Sequence, residues 1–364
     1  CSAQTWQRVS TNRNAVSCLD EKNIVSVGQY GVIMKSEDAG ATWQYTPSGT
    51  TQSLLDVYFL NNQRGIAIGE SGILLRTNDG GNKWEIDSFL TDLSLFAMKF
   101  HNELQGIAVG DSGTIFLTED GGKSWNKAQS GTKNALYGIA YSDSQTVMAV
   151  GALGTIIQSI DGGKSWNTID KGITSSLYDI AFNQNNGIIV GYKIGPSRSG
   201  TILLSSDKGK TWQEAEAANL NIYPETVLMI DTNRVIAAGN YPMLDTFATK
   251  IIISNNGGKD WQEIRNGYTR LYYSLRDIES INGNTLIVGE GCSILFSNDS
   301  GSSWAERSQA RQFSHQDLPN ANIRFSDAHF FDAMNGIVCG GNNSPGIVLR
   351  TTDAGITWKT ITLR

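Results

Sequence analysis

Histidine and cysteine are scarce in this chain of 364 residues, with three of the first and four of the second. His101, His315 and His329 lack the close spacing of metal ligands, so no metal or cofactor is expected. Four cysteines, Cys1, Cys18, Cys292 and Cys339, are too few for a disulfide-stapled scaffold. Setting Cys1 aside leaves an odd number that cannot all pair, and small buried thiols on strands are the ordinary reading. A Cys292–Cys339 bridge stays open, because sequence gives no Cα separation. Charged residues make up only 18%, the net charge is −6 and the pI is near 5.2, which argues against a nucleic-acid or anionic-membrane surface. No apolar run approaches the roughly 18 residues of a membrane-spanning helix.

What the chain does have is glycine, 39 residues, and nine tryptophans. Eight of the nine close one phrase, Ser/Thr-x-Asp-x-Gly-x-x-Trp, at Trp43, Trp84, Trp125, Trp166, Trp212, Trp261, Trp304 and Trp358. The intervals of 41, 41, 41, 46, 49, 43 and 54 residues suit one four-stranded blade per repeat. Within the phrase, Asp38, Asp79, Asp120, Asp161, Asp207, Asp299 and Asp353 can accept backbone N–H groups of their own turn, and Asn256 replaces Asp in one copy. Each Trp then buries roughly 150–250 Å² of ring, worth on the order of 4–6 kcal/mol as an upper bound. One carboxylate per copy is far short of the six to eight oxygens that calcium takes, so the boxes read as structural.

Between boxes, short β-rich runs recur in one order, named A, B, C and D. Repeat two gives Leu54–Phe59, Gly65–Gly69, Ile73–Thr77 and the strand opened by Trp84. Strand A carries Ser94-Leu95-Phe96, Ala135-Leu136-Tyr137 and Ser176-Leu177-Tyr178, and strand B ends in Val/Ile-Gly. Eight A-B-C sets predict one all-β propeller over residues 1–364, eight-bladed by count with seven as the alternative. Residues 5–9 match a D strand and are expected to close the ring with the C-terminal strands.

These boxes are identified as BNR or Asp-box repeats, and the whole unit resembles the photosystem II stability/assembly factor family. Leu55, Asp56 and Phe59, the Gly-Ile-Ala-Ile-Gly strand and the Thr-x-Asp-Gly-Gly-x-x-Trp close carry the resemblance. It implies a non-catalytic assembly propeller, a kind also widespread in bacteria without photosynthesis. The family's photosystem members are usually seven-bladed with a basic face; the arginines here are scattered along the sequence, so a photosystem partner is not implied. Sialidases share only the box: none of the six prolines follows an isoleucine, which removes their Phe-Arg-Ile-Pro segment. A glycoside hydrolase or lyase with two carboxylates across a cleft remains the enzymatic alternative.

Departures from the short repeat gather where B–C and D–A connections meet, opposite the boxes. Extensions near Tyr192, from Asn240 to Phe247, at residues 342–345 and over residues 308–324 all fall there, and long loops at one end of a scaffold are where binding resides. Tyr192, Tyr241, Phe247, Arg311 and Phe313 are the expected contacts for a protein or glycan partner. Glu70, Asp111 and Glu290 follow strand-B positions at the same rim, either as solvated turn residues or as part of a polar site. Finally, Cys1-Ser2-Ala3-Gln4 resembles the start of a mature bacterial lipoprotein, lipidated on Cys1. The expectation is a monomeric, extracytoplasmic binding protein whose membrane contact runs through that lipid.

Overall fold

A computed structural model of the chain describes residues 13–19, 23–37, 44–193, 199–215, 222–242, 247–264, 275–281, 284–289, 294–297, 299–306, 324–330, 336–341, 347–352 and 359–360. Among them, thirty-two strands form eight four-stranded antiparallel sheets, each from four consecutive strands. The architecture is an all-β propeller. Sheet two is Leu54–Phe59, Gly65–Gly69, Ile73–Thr77 and Glu85–Phe89, in the A-B-C-D order read from the sequence. A strands of successive sheets lie against one another, and the first, Arg13–Cys18, lies against the last, Arg324–Phe330. Residues 5–9, the expected closing strand, lie outside the described residues; the last sheet takes Lys359–Thr360 as its fourth strand.

Strand B is buried along its whole length in sheets two to four because a neighbouring sheet covers each face. The core is therefore a series of intersheet layers. Ile66, Ile68 and Leu74 of sheet two pack with Leu95, Met98 and Phe116 of sheet three, and Met148, Val150 and Ile156 of sheet four pack with Leu177, Leu203 and Trp212 of sheet five. Asp56 adds a polar tie across the inner strands: its carboxylate accepts the N–H of Val57 at 2.8 Å and that of Met98, one sheet on, at 2.7 Å. Asp179 repeats this with Ile180 and Val227 at 2.8 and 3.0 Å. Burial pushes the Asp56 carboxyl up to about 6, against the pull of those two N–H groups and Lys99.

The six boxes from Asp79 to Asp299 share one hydrogen-bond scheme. In sheet three the Thr118 hydroxyl donates to Asp120 at 2.9 Å and accepts the Gly122 N–H at 2.7 Å, while Asp120 accepts the Ser124 N–H and hydroxyl at 3.0 and 2.6 Å. Partial burial works to raise the Asp120 carboxyl, but the Ser124 and Thr118 donors outweigh it and bring it down to about 2; Asp161 is held the same way. The second glycine serves two ends. Gly163 sits at φ +99° with the Ile107 Cδ1 of the previous sheet 2.4 Å from where a Cβ would stand, so the box is also an intersheet contact. Burial of the Trp anchors is uneven: Trp84, Trp166, Trp212 and Trp304 are buried, but Trp125 and Trp261 are only partly so, which corrects the expectation of uniform anchors. The boxes at Asp38 and Asp353 lie outside the described residues.

The Asn256 copy is a reciprocal exchange. Its side-chain oxygen accepts from Ser254 and from the Asp260 N–H, at 2.9 Å each, as the aspartates do. Its amide donates to the Asp260 carboxylate at 2.7 Å, where the boxes of Asp120, Asp161, Asp207 and Asp299 have a Ser or Thr hydroxyl donating to Asp. Donor and acceptor have changed places.

Candidate functional site

The face opposite the boxes is built by B–C turns and D–A loops, which bond to each other. In sheet two, Glu70 N–H donates to the Ser53 carbonyl at 2.9 Å and Leu90 N–H to the Gly72 carbonyl at 2.9 Å. Sheets one to four turn from B to C through two residues of positive φ: Tyr30-Gly31, Ser71-Gly72, Ser112-Gly113 and Leu153-Gly154. That is the geometry of a tight I′ hairpin, whose twist matches its strands. Sheets five and six depart from it. Strands B and C run Asn186–Lys193 with Ser199–Ser205, and Val235–Pro242 with Phe247–Ser254, so two long hairpins stand side by side.

Tyr192, Tyr241 and Phe247 were expected on loops and are instead strand residues. Tyr192 pairs with Ser176 and Gly200, Tyr241 with Ala248, and Phe247 with Pro242. The ladder runs on past the point where sheets one to four turn, as far as Lys193↔Ser199 and Pro242↔Phe247. Arg311, Phe313, Glu290, Cys1 and Cys292 lie outside the described residues. Glu70 and Asp111 are engaged locally: Glu70 accepts the Ser53 N–H at 3.0 Å, and Asp111 the Ser112 N–H at 2.6 Å. Glu70 ties its turn to the D–A loop before it, and Asp111 shapes its own turn.

Sequence reasoning missed what lies between the turns and the axis. Strand A carries a β-bulge one residue after its pairing with the last strand-B glycine, as at Leu54↔Gly69 followed by Asp56↔Ile68. The bulge brings a carbonyl onto that glycine: a Cβ on Gly110 would stand 2.1 Å from the Ser94 oxygen. The Val/Ile-Gly ending of strand B follows from this contact. Bulged residues in sheets three, four and five are Phe96, Tyr137 and Tyr178. Their rings form a row with Tyr192 and Tyr223. Successive centroids are 5.9, 5.6, 4.8 and 5.4 Å apart, and the two central pairs are stacked at 12° and 25°. Four of these side chains are half-buried and Tyr223 is buried. Burial, with Tyr178 and Asp111 nearby, raises the Tyr137 phenol and keeps it protonated.

A concavity of about 330 Å³ lies on the box side between sheets two and three and is lined by Leu60, Ile66, Arg64, Arg76, Asp87 and Lys123. Basic residues scattered in sequence do meet here, but Arg64 pairs with Glu103 and Arg76 with Asp87, each at 3.0 Å.

Comparison with solved structures gives the same fold at low identity. A structure described as YCF48 bound to D1 peptide matches at 19% identity over 83% of this chain and 92% of its own, with a TM-score of 0.57. YCF48 from Cyanidioschyzon merolae matches at 14% identity over 94% and 96%, with a TM-score of 0.56. An ancestral GH74 enzyme matches at 13% identity over 99% of this chain and 64% of its own, with a TM-score of 0.52. No curated protein matches the sequence. Residues 154–291 match the family model of sortilin, neurotensin receptor 3. Residues 4–78, 44–134 and 253–364 match that of the photosynthesis system II assembly factor YCF48. With more than half of its length so matched, the chain belongs to the YCF48-type photosynthesis system II assembly factor family.

Proposed function

We propose that this propeller is a non-catalytic binding protein that captures a segment of a protein partner on the face of B–C turns and D–A loops. The observation that carries the reading is family membership together with a relative described as bound to a peptide. The irregular hairpins of sheets five and six, on a scaffold whose opposite face is repetitive, support that choice of face. We read the eight sheets as eight blades of one closed ring, and an experimental structure with seven would contradict this. Anchoring through a lipid on Cys1, outside the cytoplasm, completes the reading; mass spectrometry of protein from native membranes should find Cys1 diacylated or triacylated, and an unmodified Cys1 would remove it.

The glycosidase alternative draws on the fold shared with GH74 enzymes. It needs two carboxylates free to act on a sugar, whereas Glu70 holds the Ser53 N–H of the adjoining D–A loop and Asp111 the Ser112 N–H of its own turn. The test is a pair of assays on the intact chain: selection from a displayed peptide library, and hydrolysis of xyloglucan. Specific peptide enrichment without hydrolysis supports the binding reading, and hydrolysis abolished by Glu70→Gln would overturn it.

A further inference from the structure

The bulge position differs sharply around the ring. In sheets two to five it holds Leu55, Phe96, Tyr137 and Tyr178. In sheets six, seven, eight and one it holds Glu225, Arg276, Ser326 and Asn14. The residue at this backbone position is thus apolar or aromatic in sheets two to five and polar in the other four. The aromatic row continues through Tyr192 to Tyr223 at the foot of the two long hairpins.

The way the rings meet limits what can bind them. Tyr137, Tyr178 and Tyr192 stack on one another, so the faces inside the row are occupied. A sugar held by stacking needs an open aromatic face, which the middle of this row does not offer. An aromatic edge is the electropositive part of the ring and suits a carbonyl oxygen. Neither the Tyr137 nor the Tyr178 hydroxyl has a hydrogen-bond partner among the described residues, leaving two donors for the same kind of acceptor. A helix uses its carbonyls internally, whereas an extended or polyproline-type chain keeps them free.

We propose that the aromatic row of sheets three to five seats an extended peptide segment, with its backbone carbonyls and apolar side chains against Phe96, Tyr137, Tyr178 and Tyr192. The inference rests on the protein-binding reading above and gives it a site and a ligand class. The test is a random 12-residue peptide library displayed against the intact chain, followed by affinity measurements with the enriched synthetic peptides. Enriched sequences should favour extended backbone and share apolar side chains. Tyr137→Ala and Tyr178→Ala should each weaken binding at least tenfold, with melting curves retained. Should an Ala variant unfold, Tyr178→Phe keeps the stack and removes the donor, and is expected to weaken binding severalfold. Peptides that ignore all three substitutions but are lost on Lys123→Glu would place the site on the box side, overturning the proposal while leaving protein binding intact. A selection that enriches nothing contradicts the proposal, and saturable binding of a cello-oligosaccharide in its place would contradict the protein-binding reading as well.

Discussion

The two faces of the propeller treat their polar groups in opposite ways. On the box face, every copy from Asp79 to Asp299 repeats one hydroxyl-to-Asp or hydroxyl-to-Asn bond within eight residues, and Arg64 and Arg76 are paired. On the other face, hairpins vary in length and a row of tyrosines leaves two hydroxyls without partners among the described residues. Repetition marks the part that holds the sheets together, although the buried indole N–H groups of Trp84, Trp125, Trp212 and Trp261 have no partner there among the described residues, while irregularity marks the part that can recognise something else.

The comparison breaks first if the box face is not the stabilising one. Trp212, 2% exposed in the layer between sheets four and five, should cost about 3–5 kcal/mol when replaced by Ala. Tyr178→Ala should cost far less, and denaturant melts giving the two equal cost would erase the distinction. Next is Gly163→Ala, which combines a positive φ with a clash on Ile107; a loss of about 2–4 kcal/mol is expected by the same measurement. A neutral result would mean that the box does not set the spacing between sheets.

The Asn256 exchange allows a sharper test. Asn256→Asp alone sets two carboxylates against each other and should cost about 1 kcal/mol, and adding Asp260→Ser should restore most of it by rebuilding the usual box. Equal stability of the single and double variants would show that the pair does not interact. The smallest effect is in pH. The depressed Asp120 and Asp161 carboxyls give stability present above pH 3.8 and lost as pH falls toward 2. Asp56 has the reverse sign: raised to about 6, it gives stability present below pH 3.8 and lost as pH rises through about 6. Asp56→Asn should flatten the decline between pH 4 and 6, and an unchanged slope would assign that decline elsewhere.

Legibility in the sequence followed the range of the interactions. The boxes could be read because Thr118, Asp120, Gly122 and Ser124 bond to one another within seven residues. Strand order was legible for the same reason, through turns and alternation. The bulges were not, because the oxygen that forbids a side chain on Gly110 belongs to Ser94, on another strand. The aromatic row depends on residues about 41 apart meeting around the axis, although Leu-Phe and Leu-Tyr recurring in one slot of strand A was its visible trace. Tyr192, Tyr241 and Phe247 were expected on loops and lie in strands, since a lengthened hairpin and a loop look alike until the pairing is known.

Hydroxyl-radical footprinting of the intact chain, with and without a library-selected peptide, tests the division between faces most directly. Tyr137 and Tyr178 should lose reactivity on binding, while Tyr45, 53% exposed on an outer strand, and Lys123 on the box side should not change. Protection at Lys123 with Tyr137 and Tyr178 unaltered would contradict the account.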